Sequence, residues 1–126
     1  MPKILVVEDE ADIRELVAFS LVNFGDFEVV KARNGVEAVT VAKEEKPDLI
    51  LMDVRMPKMT GYEACAQLKE FPETRDIPVV FLSAKGQEAE IQQGIDVGAI
   101  EFILKPFAPD ELTAKVRNIL ERLESR

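Results

Sequence analysis

The amino-acid sequence predicts an α/β fold, a five-stranded parallel sheet with helices on both faces, and three observations carry that expectation. Short apolar runs alternate with segments of helical periodicity, the pattern of successive βα units. The third run, Leu49-Ile50-Leu51-Met52, is apolar throughout instead of alternating, as suits a strand in mid-sheet that is covered on both faces. Four runs stop at polar residues: Val7 leads into Glu8-Asp9-Glu10, Met52 into Asp53, Leu82 into Ser83 and Leu104 into Lys105. In parallel α/β sheets, sites form at the carboxyl ends of the strands.

Each element has its own warrant. Lys3 to Val7 reads as the first strand. Asp12, with Glu15 three residues on, is the expected cap of a first helix, whose apolar face is Ile13, Leu16, Val17, Phe19, Ser20, Leu21 and Phe24, ending at Gly25. Asp26 opens a second strand that continues from Phe27 to Ala32, and Asn34-Gly35 turns the chain into a second helix, which Lys46-Pro47 stops. After the third strand, a loop from Val54 to Gly61 leads to a helix ended by Phe71-Pro72. Ile77 to Leu82, a helix from Glu88 to Val97, Ile100 to Leu104 and a helix from Pro109 onward complete five units. The expected strand order is 2-1-3-4-5 with right-handed crossovers, a flavodoxin-like (βα)5 three-layer sandwich.

The 126 residues fit a single domain, residues 1–126, and 47% hydrophobic content is enough for a real core. No apolar stretch approaches the roughly 20 residues that cross a bilayer, and Met1-Pro2-Lys3 runs directly into a strand, so a cytoplasmic protein is expected. The net charge of −8, with no histidine to titrate near neutrality, argues against direct binding of nucleic acid or anionic membrane. Cys65 is the only cysteine and lies in a helical segment, where it is expected as a small packing residue.

The strand ends permit a definite chemistry. With strands one and three adjacent, Glu8, Asp9 and Asp53 would crowd together, and two carboxylates about 4 Å apart repel by about 4 kcal/mol at an effective dielectric near 20. Such a cluster calls for a cation, and Mg²⁺ suits hard oxygen ligands supplied by one or two carboxylates and a phosphate oxygen. Asp53, closing a buried strand, reads as a phosphorylatable aspartate, a nucleophile toward phosphorus. Lys105 would add a cation from the other side, and Ser83 a hydroxyl able to donate to a phosphoryl oxygen. Each residue has a plainer alternative: a solvated acidic edge, a loop lysine, a helix cap, and, for Phe102, core packing.

Taken together, Glu8-Asp9, Asp53, Met56-Pro57 with Gly61, Ser83-Ala84 and Lys105-Pro106-Phe107 resemble the receiver domain of two-component response regulators, across nearly the whole chain. The resemblance is to a chemotaxis-regulator-like receiver, stand-alone or excised from a larger regulator. It implies phosphotransfer from a sensor histidine kinase or phosphotransfer protein to Asp53, with Mg²⁺ held by Asp9, Asp53 and the backbone carbonyl of Arg55, and by Glu8 through water. Ser83 and Lys105 would grip the phosphoryl group. Ser83 and Phe102 would switch the face formed by helix four, strand five and helix five, which controls an output domain or effector protein. It implies no enzyme beyond the domain's own phosphotransfer and slow autodephosphorylation.

Departures from the family pattern bear on subtype. Glu-Asp stands for Asp-Asp, serine for the more frequent threonine, and Phe102 lacks a tyrosine hydroxyl. Many family members that dimerise through the helix-four to helix-five face carry a basic residue where this chain has Ile91, opposite a position matching Glu111. An exposed Ile91 would instead join an apolar docking patch, leaving Asp96 with Arg117 and Glu101 with Lys115 to support a weak homodimer. Arg55 and Lys85, flanking the pocket, are expected to slow phosphoryl loss. A flavin carrier is disfavoured because Glu8-Asp9-Glu10 would repel its phosphate, and an aspartate-based phosphatase because Arg55 stands where its second aspartate commonly lies. The remaining alternative is a phosphorylation-independent interaction module.

Overall fold

The structure is a computed structural model and describes residues 1–83, 88–105 and 107–124, without the side chains of residues 88–90. Five βα units follow one another: β1 Lys3–Val7, α1 Ala11–Gly25, β2 Glu28–Ala32, α2 Gly35–Glu45, β3 Leu49–Asp53, α3 Gly61–Glu70, β4 Val79–Ser83, α4 Glu88–Asp96, β5 Glu101–Leu104 and α5 Pro109–Glu124. The sheet is parallel in order β2-β1-β3-β4-β5. No helix among the described residues is long and apolar enough to cross a membrane.

Alternation along the strands splits the core in two. Leu5, Val7, Ile50, Met52, Val79 and Phe81 face α2, α3 and α4. Ile4, Val6, Leu49, Leu51, Val80, Leu82 and Ile103 face α1 and α5. All five β3 residues are buried, as the unbroken apolar run anticipates for a strand covered on both sides.

Several boundaries differ from expectation. α1 begins at Ala11 with Glu10 as N-cap and no side-chain cap hydrogen bond. Glu10 N–H is taken by the Glu8 carboxylate at 3.2 Å, so Asp12 lies inside the first turn, where its charge favours the helix dipole. The apolar face of α1 is also narrower than expected. Val17, Ala18, Ser20 and Leu21 are buried, whereas Leu16, Phe19 and Phe24 are about half exposed, because six apolar residues and Ser20 span more of the cylinder than the sheet and α5 cover. Asp26 does not open β2; it caps α1 in the left-handed conformation, φ 57°, its N–H donating to Leu21 O.

The site-bearing loops are tied down locally. Asn34 Oδ1 accepts from Glu37 N at 2.9 Å and starts α2. Thr60 and Glu63 form a reciprocal capping box at the start of α3, with bonds of 3.2 and 3.0 Å. A cleft of about 750 Å³ lies at the amino ends of the strands, lined in part by Met1, Asp48, Lys69, Arg75 and Ile100. Its charges are of mixed sign, and the Lys69 ammonium is committed to the carbonyls of Arg75 and Ile77 at 3.1 and 2.8 Å.

Candidate functional site

Sheet register builds the site. Val7 pairs with Met52, so Glu8 comes level with Asp53; Asp53 pairs with Leu82, and Ser83 with Leu104. Glu8, Asp53 and Lys105 extend the alternation of Val6, Leu51 and Ile103, and therefore emerge on the α1–α5 face where the apolar side chains run out. Ser83 extends the alternation of Val79 and Phe81 toward α3 and α4. It joins its neighbour through the backbone, Lys105 N donating to Ser83 O at 2.8 Å.

The structure gathers four of the expected residues. Carboxylate oxygens of Glu8, Asp9 and Asp53 all lie within 4.8 Å of one another. Lys105 Nζ stands 3.1 Å from both Glu8 Oε1 and Asp53 Oδ1. Glu8 is 1% exposed and Asp53 7%, while Asp9 is exposed at the rim. Burial pushes the Glu8 carboxyl up to about 7, with the charge of Asp53 adding to it against the hydrogen bond from Glu10 N–H. Burial works to lower the Lys105 ammonium, but the carboxylates of Asp53 and Glu8 outweigh it and the net shift is upward. One ammonium between two carboxylates cannot neutralise both, so Lys105 does not offset the burial that keeps Glu8 from ionising.

Three clustered carboxylates, two of them paired with the Lys105 ammonium, make a hard, oxygen-rich donor set, and that chemistry fits a divalent cation such as Mg²⁺. Arg55 is exposed and follows directly on Val54, whose N–H donates to Leu82 O at 3.2 Å and whose carbonyl accepts from Gly61 N at 2.8 Å. The β3–α3 loop is thereby closed on itself beside Asp53. Within it Lys58 has φ 70°, and Met59 N donates to Pro57 O at 2.8 Å, a tight three-residue turn of a strained kind. Gly61 belongs there for want of room, since a Cβ would meet Asp53 O at 2.4 Å.

Phe102 is half-buried, its ring 5.5 Å from that of Phe81, which in turn stands edge-on to Tyr62 at 5.2 Å. Ile91 is half-buried too, whereas Ile95, Ile100 and Leu104 are exposed. Arg117 donates to Phe24 O at 3.3 Å and lies over the Phe27 ring. Glu101 pairs with Arg122 of its own chain at 3.0 Å. Lys85 and Pro106, with their expected roles, lie outside the described residues. Cys65 is buried, donates to Val97 O at 3.4 Å, and burial pushes its thiol up to about 11, as befits a packing residue.

Two contributors escape sequence reasoning. Arg14 Nη1 donates to Glu8 O at 2.9 Å, and nothing in the α1 pattern singles that arginine out from a solvated one. Gly94 in α4 approaches Phe102 closely, a contact between elements that no local signal encodes.

Residues 4–117 match the family model of the response regulator receiver domain. The chain belongs to that family. It is 45% identical over 121 residues to the phosphate regulon transcriptional regulatory protein PhoB of Escherichia coli, covering 96% of this chain and 52% of PhoB. The chain spans about half the length of the curated relatives it matches. Among solved structures, the chemotaxis protein CheY4 of Vibrio cholerae superposes with a TM-score of 0.89 at 33% identity, covering 94% of this chain and 98% of CheY4. The receiver domain of the Pseudomonas aeruginosa sensor histidine kinase PA1611 gives 0.84 at 27% identity, covering 99% of this chain and 98% of that one, and holds a magnesium ion in its active site cleft.

Proposed function

We propose that this receiver accepts a phosphoryl group on Asp53 from the phosphohistidine of a sensor kinase or phosphotransfer protein, in a Mg²⁺-dependent reaction. A carboxylate oxygen of Asp53 forms the new P–O bond while the P–N bond to the imidazole breaks, and the leaving nitrogen keeps the electron pair. The observation that carries this reading is the Lys105 ammonium held 3.1 Å from Asp53 within a cluster of three carboxylates. Transfer of this kind needs positioning and charge stabilisation more than covalent help from the protein.

Asp9, Asp53 and the backbone carbonyl of Arg55 would hold the metal, with Glu8 acting through water. When bound, the ion offsets charge on the transferred group. Lys105 supplies the opposing cation and Ser83 a donor to a phosphoryl oxygen. Phosphorylation then favours one arrangement of Ser83 and Phe102 over another, a population shift read at the α4–β5–α5 face by an output domain or effector protein. The domain is a phosphoacceptor and not an enzyme acting on other substrates, and by this reading it works in the cytoplasm as a single unit over residues 1–126.

The test is intact mass after incubation with a small-molecule phosphodonor, with and without Mg²⁺, beside Asp53→Asn. Metal-dependent gain of one phosphoryl group that disappears in the variant is expected. No gain under any condition would turn the reading toward a phosphorylation-independent interaction module.

A further inference from the structure

α4 carries a glycine in its interior, and glycine is the weakest helix former apart from proline, so local propensity does not account for Gly94. Packing does. A Cβ at Gly94 would stand 2.4 Å from Phe102 Cζ, 2.7 Å from Phe102 Cε1 and 3.1 Å from Phe81 Cδ2, inside the separations at which carbon atoms attract. The Phe102 ring therefore reaches the α4 backbone through the gap that a missing side chain leaves.

That contact ends a row. Tyr62, Phe81 and Phe102 follow one another at centroid distances of 5.2 and 5.5 Å, from α3 through β4 to β5. At its middle the row passes Gly61, where an added Cβ would lie 3.1 Å from Phe81 Cε1 and 2.4 Å from Asp53 O. Close-packed aromatic rows adopt discrete arrangements and do not deform smoothly. The row thus passes Gly61, whose backbone packs against Asp53 O, and ends against α4.

We propose that Gly94 is a positioning residue for the switch: its missing side chain lets Phe102 lodge between α4 and Phe81, and this contact holds the unphosphorylated arrangement. The inference rests on the receiver reading of Asp53. A Cβ at position 94 excludes the ring from its present place, so the equilibrium moves toward the arrangement in which the ring has left α4, the one that phosphorylation selects. Gly94 thereby sets how readily Asp53 is modified without approaching it.

Four proteins decide the matter: wild type, Gly94→Ala, Phe102→Ala and the double variant, each incubated with acetyl phosphate and Mg²⁺ and followed by intact mass. Gly94→Ala is expected to raise the initial rate of phosphoryl gain roughly threefold or more, and to change nothing when added to Phe102→Ala, since a coupled pair is non-additive. An unchanged or slower rate, or an effect that persists without the Phe102 ring, overturns the proposal. A second measurement uses wild type alone, labelled with fluorinated phenylalanine. The Phe102 resonance, assigned by its loss in Phe102→Leu, must shift on phosphorylation; a fixed resonance in a protein that mass shows to be modified overturns the proposal while leaving the receiver reading intact. Absence of phosphoryl gain in wild type would remove both.

Discussion

Lys105 Nζ lies 3.1 Å from Asp53 Oδ1 although the two residues close strands that are not neighbours, β5 and β3, with β4 between them. The ammonium reaches over the end of β4 and occupies the charge-compensating position among the carboxylates. Any added cation must share those carboxylates with it. A unit charge pair near 4 Å is worth about 4 kcal/mol at an effective dielectric of 20, and partial loss of that competition corresponds to roughly tenfold in affinity. Lys105→Ala is therefore expected to bind Mg²⁺ about tenfold more tightly while gaining the phosphoryl group more slowly, measured by calorimetry and intact mass. Weaker metal binding in the variant would show that the ammonium organises the pocket and does not compete within it.

Glu8 adds a pH dependence. Its folded value of about 7 lies above the ordinary carboxyl value of 4.5, because the buried site disfavours the charge. A group raised in this way contributes its stability in full below the unfolded value and loses it as pH rises through the folded one. Without metal, wild type should lose about 2–3 kcal/mol relative to Glu8→Gln between about pH 4.5 and pH 7. Mg²⁺ affinity should run the other way, rising toward pH 7 with release of protons. Denaturant midpoints at several pH values check the first trend, and calorimetry in buffers of different ionisation heat checks the second. Parallel pH profiles for wild type and Glu8→Gln would end this account.

How much of this was written in the chain varies by residue. The apolar run closing at Asp53 and the polar endings at Glu8, Ser83 and Lys105 encode the strand ends directly, because a charged or hydroxylated side chain where a buried strand stops has few other uses. The strand order turns those endings into a cluster. Asp12 misled because the true start of α1 depends on the Glu8 carboxylate taking Glu10 N–H, a bond set by the loop's path and not by capping preference. Leu16 and Phe19 misled because periodicity cannot tell how wide a stripe the neighbouring elements will cover.

Gly61 is required by proximity to the phosphoacceptor strand, not by its backbone angles. An added Cβ would stand 2.4 Å from Asp53 O and 3.0 Å from Val54 Cα, and both neighbours are backbone held by the Val54 hydrogen bonds, so neither can give way cheaply. Gly61→Ala should cost about 2 kcal/mol or more despite the better helix propensity of alanine. The urea midpoint would fall with the slope unchanged. A midpoint equal to or above wild type would mean that the loop relaxes around the methyl group.

Arg14 offers a way to separate holding the site from holding the fold. Its guanidinium donates to the Glu8 carbonyl at 2.9 Å from a half-buried position on α1, and so fixes the segment that carries Glu8 and Asp9. Hydrogen bonds from charged donors contribute about 1.5–3 kcal/mol, with partial exposure placing this one toward the lower end. Arg14→Ala should therefore lower stability by about 1–2 kcal/mol and, because Asp9 is then free to move from its place beside Asp53, weaken Mg²⁺ binding several-fold. Arg14→Lys keeps the charge but not the rigid planar fork, and should recover only part of either loss. Metal titrations of the three proteins well below their unfolding midpoints give the answer: if affinity stays constant while stability falls, Arg14 serves the packing of α1 and has no part in presenting the acidic pair.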